Sequence, residues 1–156
     1  LSSEKFNKEQ LLGTLMIELR NHSTLTIMFH QVIASQLGLN PTDHKCLEMI
    51  LKNEPVTAGR IAEFTGLTTG AVTGVIDRLE KVGFVNRQQD PNDRRRIIIQ
   101  VNKQKAEESI HPLLDPFAEQ ISNLLANYNA EQLEFLTKFF NEVNEVLDKE
   151  TKKLHD

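Results

Sequence analysis

Residues 90–101 read DPNDRRRIIIQV, a turn that runs into three adjacent arginines. Guanidinium groups bind phosphates through several fixed donors, so Arg94, Arg95 and Arg96 at a turn are suited to grip a polyanion. Asp93 stands two residues before Arg95, close enough to hold that guanidinium in a fixed pose. Upstream, Thr68, Thr69, Gly70 and Thr73 bring hydroxyls and bare backbone to the start of a helical segment, with Arg78 and Lys81 further along. Small or hydrogen-bonding residues at a helix's leading end can reach base edges, whereas Arg78 and Lys81 are better placed for phosphates. Enzyme chemistry is poorly supplied. The chain has no Gly-rich phosphate cradle, no Ser or Cys nucleophile with a nearby base pattern and no HExxH. No enzymatic activity and no cofactor are expected.

Other residues of chemical type fit quieter roles. The single cysteine, Cys46, excludes an intramolecular disulfide and falls in an apolar helical pattern, as a buried small hydrophobe would. His22 and Thr26 share an apolar stripe with Leu12, Leu15, Leu19, Phe29 and Ile33, and His30 lies further along the same segment. Polar groups on such a stripe need partners, either within a core or interface or around a small molecule. His44, Glu107, Glu108 and His111 have metal-ligating side chains, yet their spacing alone supports no metal site.

These residues are positioned by a mainly helical pattern. A first helix is expected over residues 8–37, stopped by Gly38. Asn40-Pro41 caps and starts a second, carrying Cys46, Leu47, Ile50 and Leu51. Thr57 caps a short third helix closed by Gly66. Thr68 or Thr69 caps a fourth that runs to Val82, with Val72, Val75, Ile76, Leu79 and Val82 as its buried stripe. Gly70 and Gly74 lie opposite that stripe. Each costs about 1 kcal/mol against alanine inside a helix, a cost consistent with close approach to a groove or with a tight helix contact.

Two strands follow, over residues 84–89 and 95–101, joined by the turn chemistry of DPND. Their alternation should place Ile97, Ile99 and Val101 on one face and Ile98 and Gln100 on the other. Beyond residue 103, Pro112 and Pro116 must bend or interrupt a helix, and Asp115-Pro116 resembles a second cap and restart. A last helix over residues 130–154 carries a coiled-coil-like seam of Leu133, Leu136, Phe140, Val143 and Leu147. Long apolar stripes at opposite ends of the chain call for a partner chain to bury them.

Composition agrees with a folded chain: 156 residues, 39% hydrophobic and 26% charged. No apolar run approaches the ~20 residues of a membrane span. The N-terminus has no signal-peptide pattern, which points to the cytoplasm, and Leu1 in place of Met points to a processed or truncated start. Charge is uneven. Residues 57–105 hold nine Lys or Arg against five Asp or Glu, a local net of +4, inside a chain whose net charge is −4. An acidic body with one basic segment is a field suited to a polyanion.

Helix, helix, helix and two-stranded hairpin is the order of a winged helix-turn-helix. The stretch GLTTGAVTGVIDRLEKVGFVNRQQDPNDRRRIIIQV, residues 66–101, resembles the MarR family of bacterial winged-helix transcription regulators. The match rests on the apolar-Asp-Arg-Leu-Glu run at residues 76–80, then Gly83, Arg87 and the Asp-Pro-x-Asp-Arg-Arg run at residues 90–95. The resemblance implies a mainly α fold with a small two-stranded β wing, flanked by long N- and C-terminal dimerisation helices. Three parts are expected: a dimerisation helix in residues 1–39, a DNA-binding winged helix in 40–102 and dimerisation helices in 103–156.

The implied function is a homodimeric, cytoplasmic, sequence-specific regulator on a pseudo-palindromic operator in double-stranded DNA, expected to repress until a small-molecule effector releases it. Its implied DNA contacts are Thr68, Thr69, Gly70, Thr73, Arg78, Arg87, Asp93, Arg94, Arg95 and Arg96. His22, Thr26 and His30 would line an effector pocket. Gly74 departs from the pattern, since many relatives carry a larger contact residue there. A winged-helix adaptor that binds protein and not DNA is the competing class. Steep salt dependence of DNA binding separates the two.

Overall fold

A computed structural model describes residues 7–155. Residues 1–6, which include Leu1 and most of the segment read for a signal peptide, lie outside the described residues. The chain divides into two compact units, Leu1–His111 and Pro112–Asp156.

The first unit begins with α1 (Lys8–Gln36), capped by the Asn7 side chain in a capping box with Gln10. Then come α2 (Pro41–Asn53), α3 (Ala58–Thr65) and α4 (Thr69–Val82). The caps expected in this unit at Asn40, Thr57 and Thr68 are in place. Asn40 Oδ1 accepts the Asp43 N–H at 2.8 Å, and Thr57 and Thr68 hydroxyls accept from Arg60 and Ala71. Gly66 and Gly83 end α3 and α4 with φ of +69° and +87°, a left-handed conformation that a side chain would oppose. Strands β1 (Val85–Gln89) and β2 (Ile97–Val101) pair antiparallel, with Val85 opposite Val101 and Gln89 opposite Ile97. The short α5 (Lys103–Ser109), capped by Asn102, closes the unit.

Its core is built by α2, α3, α4 and the hairpin. Leu47, Ile50, Ile61, Val72, Val75, Ile76, Leu79, Phe84 and Ile99 are each at most 2% exposed. Each such side chain contributes roughly 1.5–3 kcal/mol by leaving water. Two members of the expected stripes fall outside this core: Leu51 is 37% and Val82 38% exposed, because each sits at the last turn of its helix, beyond the packed centre.

The expected strand alternation also fails at one position. Ile98 is buried along with Ile99 and Val101, while Ile97 is exposed. On the second edge of β2, Val56 exchanges two backbone hydrogen bonds with Ile99 at 3.2 and 2.7 Å, so the chain before α3 extends the sheet there. The neighbours Pro55 and Thr57 line the same cleft as Ile98, together with Phe64.

The second unit holds most of α6 (His111–Leu125) and all of α7 (Ala130–His155). Asp115-Pro116 is not the second cap and restart that the sequence leads one to expect. The helix restarts earlier, at His111, and Pro116 lies inside α6. Pro112, at the helix's second position, uses the first-turn site where a missing N–H costs nothing. On α7 the expected seam is half-buried at Leu133, Leu136 and Val143, whereas Phe140 and Leu147 are exposed. No described helix is long and apolar enough to cross a membrane.

Candidate nucleic-acid interface

Thr68, Thr69, Gly70 and Thr73 are all exposed along the leading turns of α4. Their hydroxyls serve the helix as well as its surroundings. Thr68 caps it, and Thr73 Oγ1 donates to the Thr69 carbonyl at 3.0 Å, which leaves the oxygen lone pairs of Thr73 facing outwards. The two glycines of this helix differ. A Cβ on Gly70 would meet nothing within 4 Å, so that position is open surface. A Cβ on Gly74 would come to 3.3 Å from Arg78 Nη1, so its bareness makes room for the Arg78 side chain to lie along the helix.

That lie has a purpose. Arg78 Nε and Nη2 donate to the two oxygens of Asp43 at 2.8 and 2.7 Å, a bidentate pair that ties α4 to the start of α2. Asp43 is 2% exposed and also accepts Asn40 Nδ2 at 2.8 Å, while the Arg78 side chain keeps 52% of its surface. The hydrogen bond to Asp43 raises the Arg78 pKa further above its ordinary range.

Arg87, on β1, is likewise engaged. Its guanidinium reaches Glu80 and Asp77, and its backbone N–H donates to Glu80 Oε1 at 3.1 Å. Partial burial works against the charge, but the bonds to Asp77 and Glu80 outweigh it and raise the pKa. Arg60 pairs with Glu63 one turn along α3.

The wing tip is built differently. Asp90 Oδ1 accepts the Asn92 N–H at 2.9 Å, and Asp93 Oδ1 accepts the Arg95 N–H at 3.0 Å, two local side-chain turns in succession. The Asp90 and Arg96 N–H groups, bonded to the Arg96 and Asp93 carbonyls at 2.9 Å each, close the loop. Asp93 therefore does not hold the Arg95 guanidinium, as its spacing implies; a carboxylate two residues away meets the nearer backbone N–H first, and it shapes the turn. Arg94, Arg95 and Arg96 are exposed, and among the described residues none forms an ion pair. Of the six arginines in residues 57–105, three are paired with carboxylates and three, all at the wing tip, have no carboxylate partner among the described residues.

The histidines of α1 fall at successive depths. His22 and Thr26 are exposed, and His30 is half-buried where α1 meets α2. There His30 Nδ1 lies 3.2 Å from Glu48 Oε1, and His44 Nε2 lies 3.9 Å from the same oxygen. His44 is 2% exposed, and burial pushes its pKa down. Among the described residues, His44 forms no such group with Glu107, Glu108 or His111. Cys46 is buried beside this region, with its thiol pKa pushed up by burial and by the charge of Asp43. Asp43 and Glu48 are the residues that sequence reasoning misses. Asp43 reads as an ordinary first-turn acid, and Glu48 as one more exposed helix charge.

A family model described as MarR family matches residues 39–97. An uncharacterized HTH-type transcriptional regulator, YcgE of Bacillus subtilis (strain 168), is 38% identical over 152 residues, which is 97% of this chain and 98% of the relative. Among solved structures, a MarR family protein from Bacillus stearothermophilus superposes with a TM-score of 0.68 at 18% identity, covering 92% of this chain and 99% of that one. Wild-type MarR from E. coli in its apo form gives 0.56 at 22% identity, over 90% of this chain and 98% of that one.

Proposed function

We propose, for a chain that belongs to the MarR family and is thereby a DNA-binding transcriptional regulator rather than an enzyme, that it acts as a homodimer on a pseudo-palindromic operator. In this reading the leading turns of α4 enter the major groove, where Thr68, Thr69 and Thr73 offer hydroxyls and Gly70 lets backbone approach. The wing reaches the adjacent minor groove with Arg94, Arg95 and Arg96, on a turn shaped by Asp93. Arg78 and Arg87 stand behind them, held by carboxylates, and lend phosphates whatever charge and surface remain. Operator occupancy represses transcription in the cytoplasm, and a small-molecule effector in contact with His22, Thr26 and His30 releases it.

The observation that carries this reading is the partition of arginines: those at the wing tip alone lack a carboxylate among the described residues of the segment. Selection from random duplex DNA with the purified chain tests it. The expected product is a two-fold symmetric motif whose half-sites lie about one helical turn, ~10 base pairs, apart. No enrichment even in dilute salt would overturn it.

A further inference from the structure

Where α1 and α2 meet, three side chains bring their ligating atoms close together. His30 Nδ1, His44 Nε2 and Glu48 Oε1 all lie within 4.8 Å of one another, with 3.2 and 3.9 Å separating the carboxylate oxygen from the two nitrogens. A four-coordinate metal bound at about 2.0–2.1 Å sets its donors roughly 3.3 Å apart. The group is therefore within small side-chain adjustments of a tetrahedral face. We propose that His30, His44 and Glu48 form a binding site for a divalent first-row transition cation of the zinc type, clipping α1 to α2.

Three features favour a cation over a plain imidazole–carboxylate contact. First, His30 Nδ1 is a buried atom with no hydrogen-bond partner, although Glu48 Oε1 is near: the pair is close but not aligned as an N–H···O bond. A cation would give that buried nitrogen the partner it lacks. Second, His44 and Glu48 are one turn apart on α2, the spacing that puts two donors on one helix face, and His30 comes from a different helix. Third, the other oxygen of Glu48 is occupied separately. Lys45 Nζ donates to Oε2 at 2.7 Å, which fixes the carboxylate and leaves Oε1 to the histidines.

Two imidazoles and one carboxylate suit zinc and its neighbours in the first row rather than magnesium or calcium. Three protein ligands leave a fourth position for water or an effector group, as in exchangeable rather than closed structural sites. A cation here would stiffen the end of α2 that carries Asp43, next in sequence to His44 and the anchor of Arg78 on α4. The inference goes beyond the DNA reading and does not rest on it, since neither duplex nor dimer enters the test.

Zinc chloride is titrated by calorimetry and equilibrium dialysis into the tag-free full chain, stripped beforehand with chelator. The parent is expected to take up one ion per chain and to melt at a higher temperature when loaded. His30→Gln and Glu48→Gln, both at partly exposed positions, should each weaken zinc binding by about tenfold or more while keeping the parent's circular dichroism. His44→Gln is a weaker test, because a buried position can unfold. A parent that binds no zinc overturns the proposal, and so does zinc bound equally well by the parent and both exposed-side variants.

Discussion

Arg78 and Arg95 bear the same guanidinium but have opposite surroundings, and substitution should separate them. Arg78 completes the hydrogen bonding of a carboxylate that is 2% exposed, whereas Arg95 projects from a turn whose hydrogen bonds use only its backbone. Removing the Arg95 side chain should leave the melting temperature unchanged and lower operator affinity about tenfold or more, the scale of one lost charge-assisted contact. Removing the Arg78 side chain strands a buried charge, so it should lower the melting temperature by several degrees as well as weaken binding. Fluorescence anisotropy and a thermal melt on the same two variants check both halves. Equal affinity for parent and Arg95→Ala would remove the wing from the interface. The wing arginines were legible because three identical charges stand together in a turn. The Arg78–Asp43 pair was not, because its members lie 35 residues apart and each alone reads as a surface charge.

At the scale of elements, α4 is bounded by its caps and hollowed by its glycines. Gly70 faces open space in the first turn of α4, so alanine there should gain helix propensity, at most about 1 kcal/mol, without any clash. A protein selected only for stability would carry the alanine. Gly70→Ala is therefore expected to raise the melting temperature and at the same time reduce operator affinity, because in the proposed docking the added methyl would stand between the helix backbone and the duplex. A variant that is stabilised and binds DNA as tightly as the parent would mean that the glycine serves no contact. Gly74 is a different case, since its methyl would press on Arg78 Nη1.

The elements themselves were readable from local signals. Asn40, Thr57 and Thr68 before helices, and Gly66 and Gly83 after them, act within a few residues of the boundary they set. Where the reading failed, a distant partner decided. The chain at Val56 pairs with the second edge of β2 and brings Pro55 and Thr57 to the cleft that Ile98 lines, and nothing in the alternation of residues 97–101 announces it. At Asp115-Pro116 two signals competed, and the earlier proline took the helix start.

For the whole molecule, the decisive features are unburied apolar surface and uneven charge. On α1, Leu11, Leu12, Met16, Ile17, Leu25, Ile27, Met28 and Val32 are all more than half exposed, and on α7 so are Phe135, Val146, Leu147 and Leu154. Apolar surface of that extent, spread round α1 and along α7, is what the proposed partner chain would have to bury. Light scattering at micromolar concentration should therefore report twice the chain mass of 17.8 kDa, and a monomer would refute the homodimer. A dimer doubles the wings, and that has a measurable consequence. If each wing tip neutralises about three phosphates, six counterions are displaced, and the log–log dependence of affinity on salt should have a slope of about −5. Arg95→Ala removes one contact per protomer, so its slope should shrink by roughly 2. The acidic remainder of the chain, nine Lys or Arg against seventeen Asp or Glu for a net of −8, adds repulsion that salt relieves, which makes a slope shallower than the count of contacts the expected direction of error. Equal slopes for parent and variant would show that Arg95 neutralises no phosphate, even if affinity had fallen for some other reason.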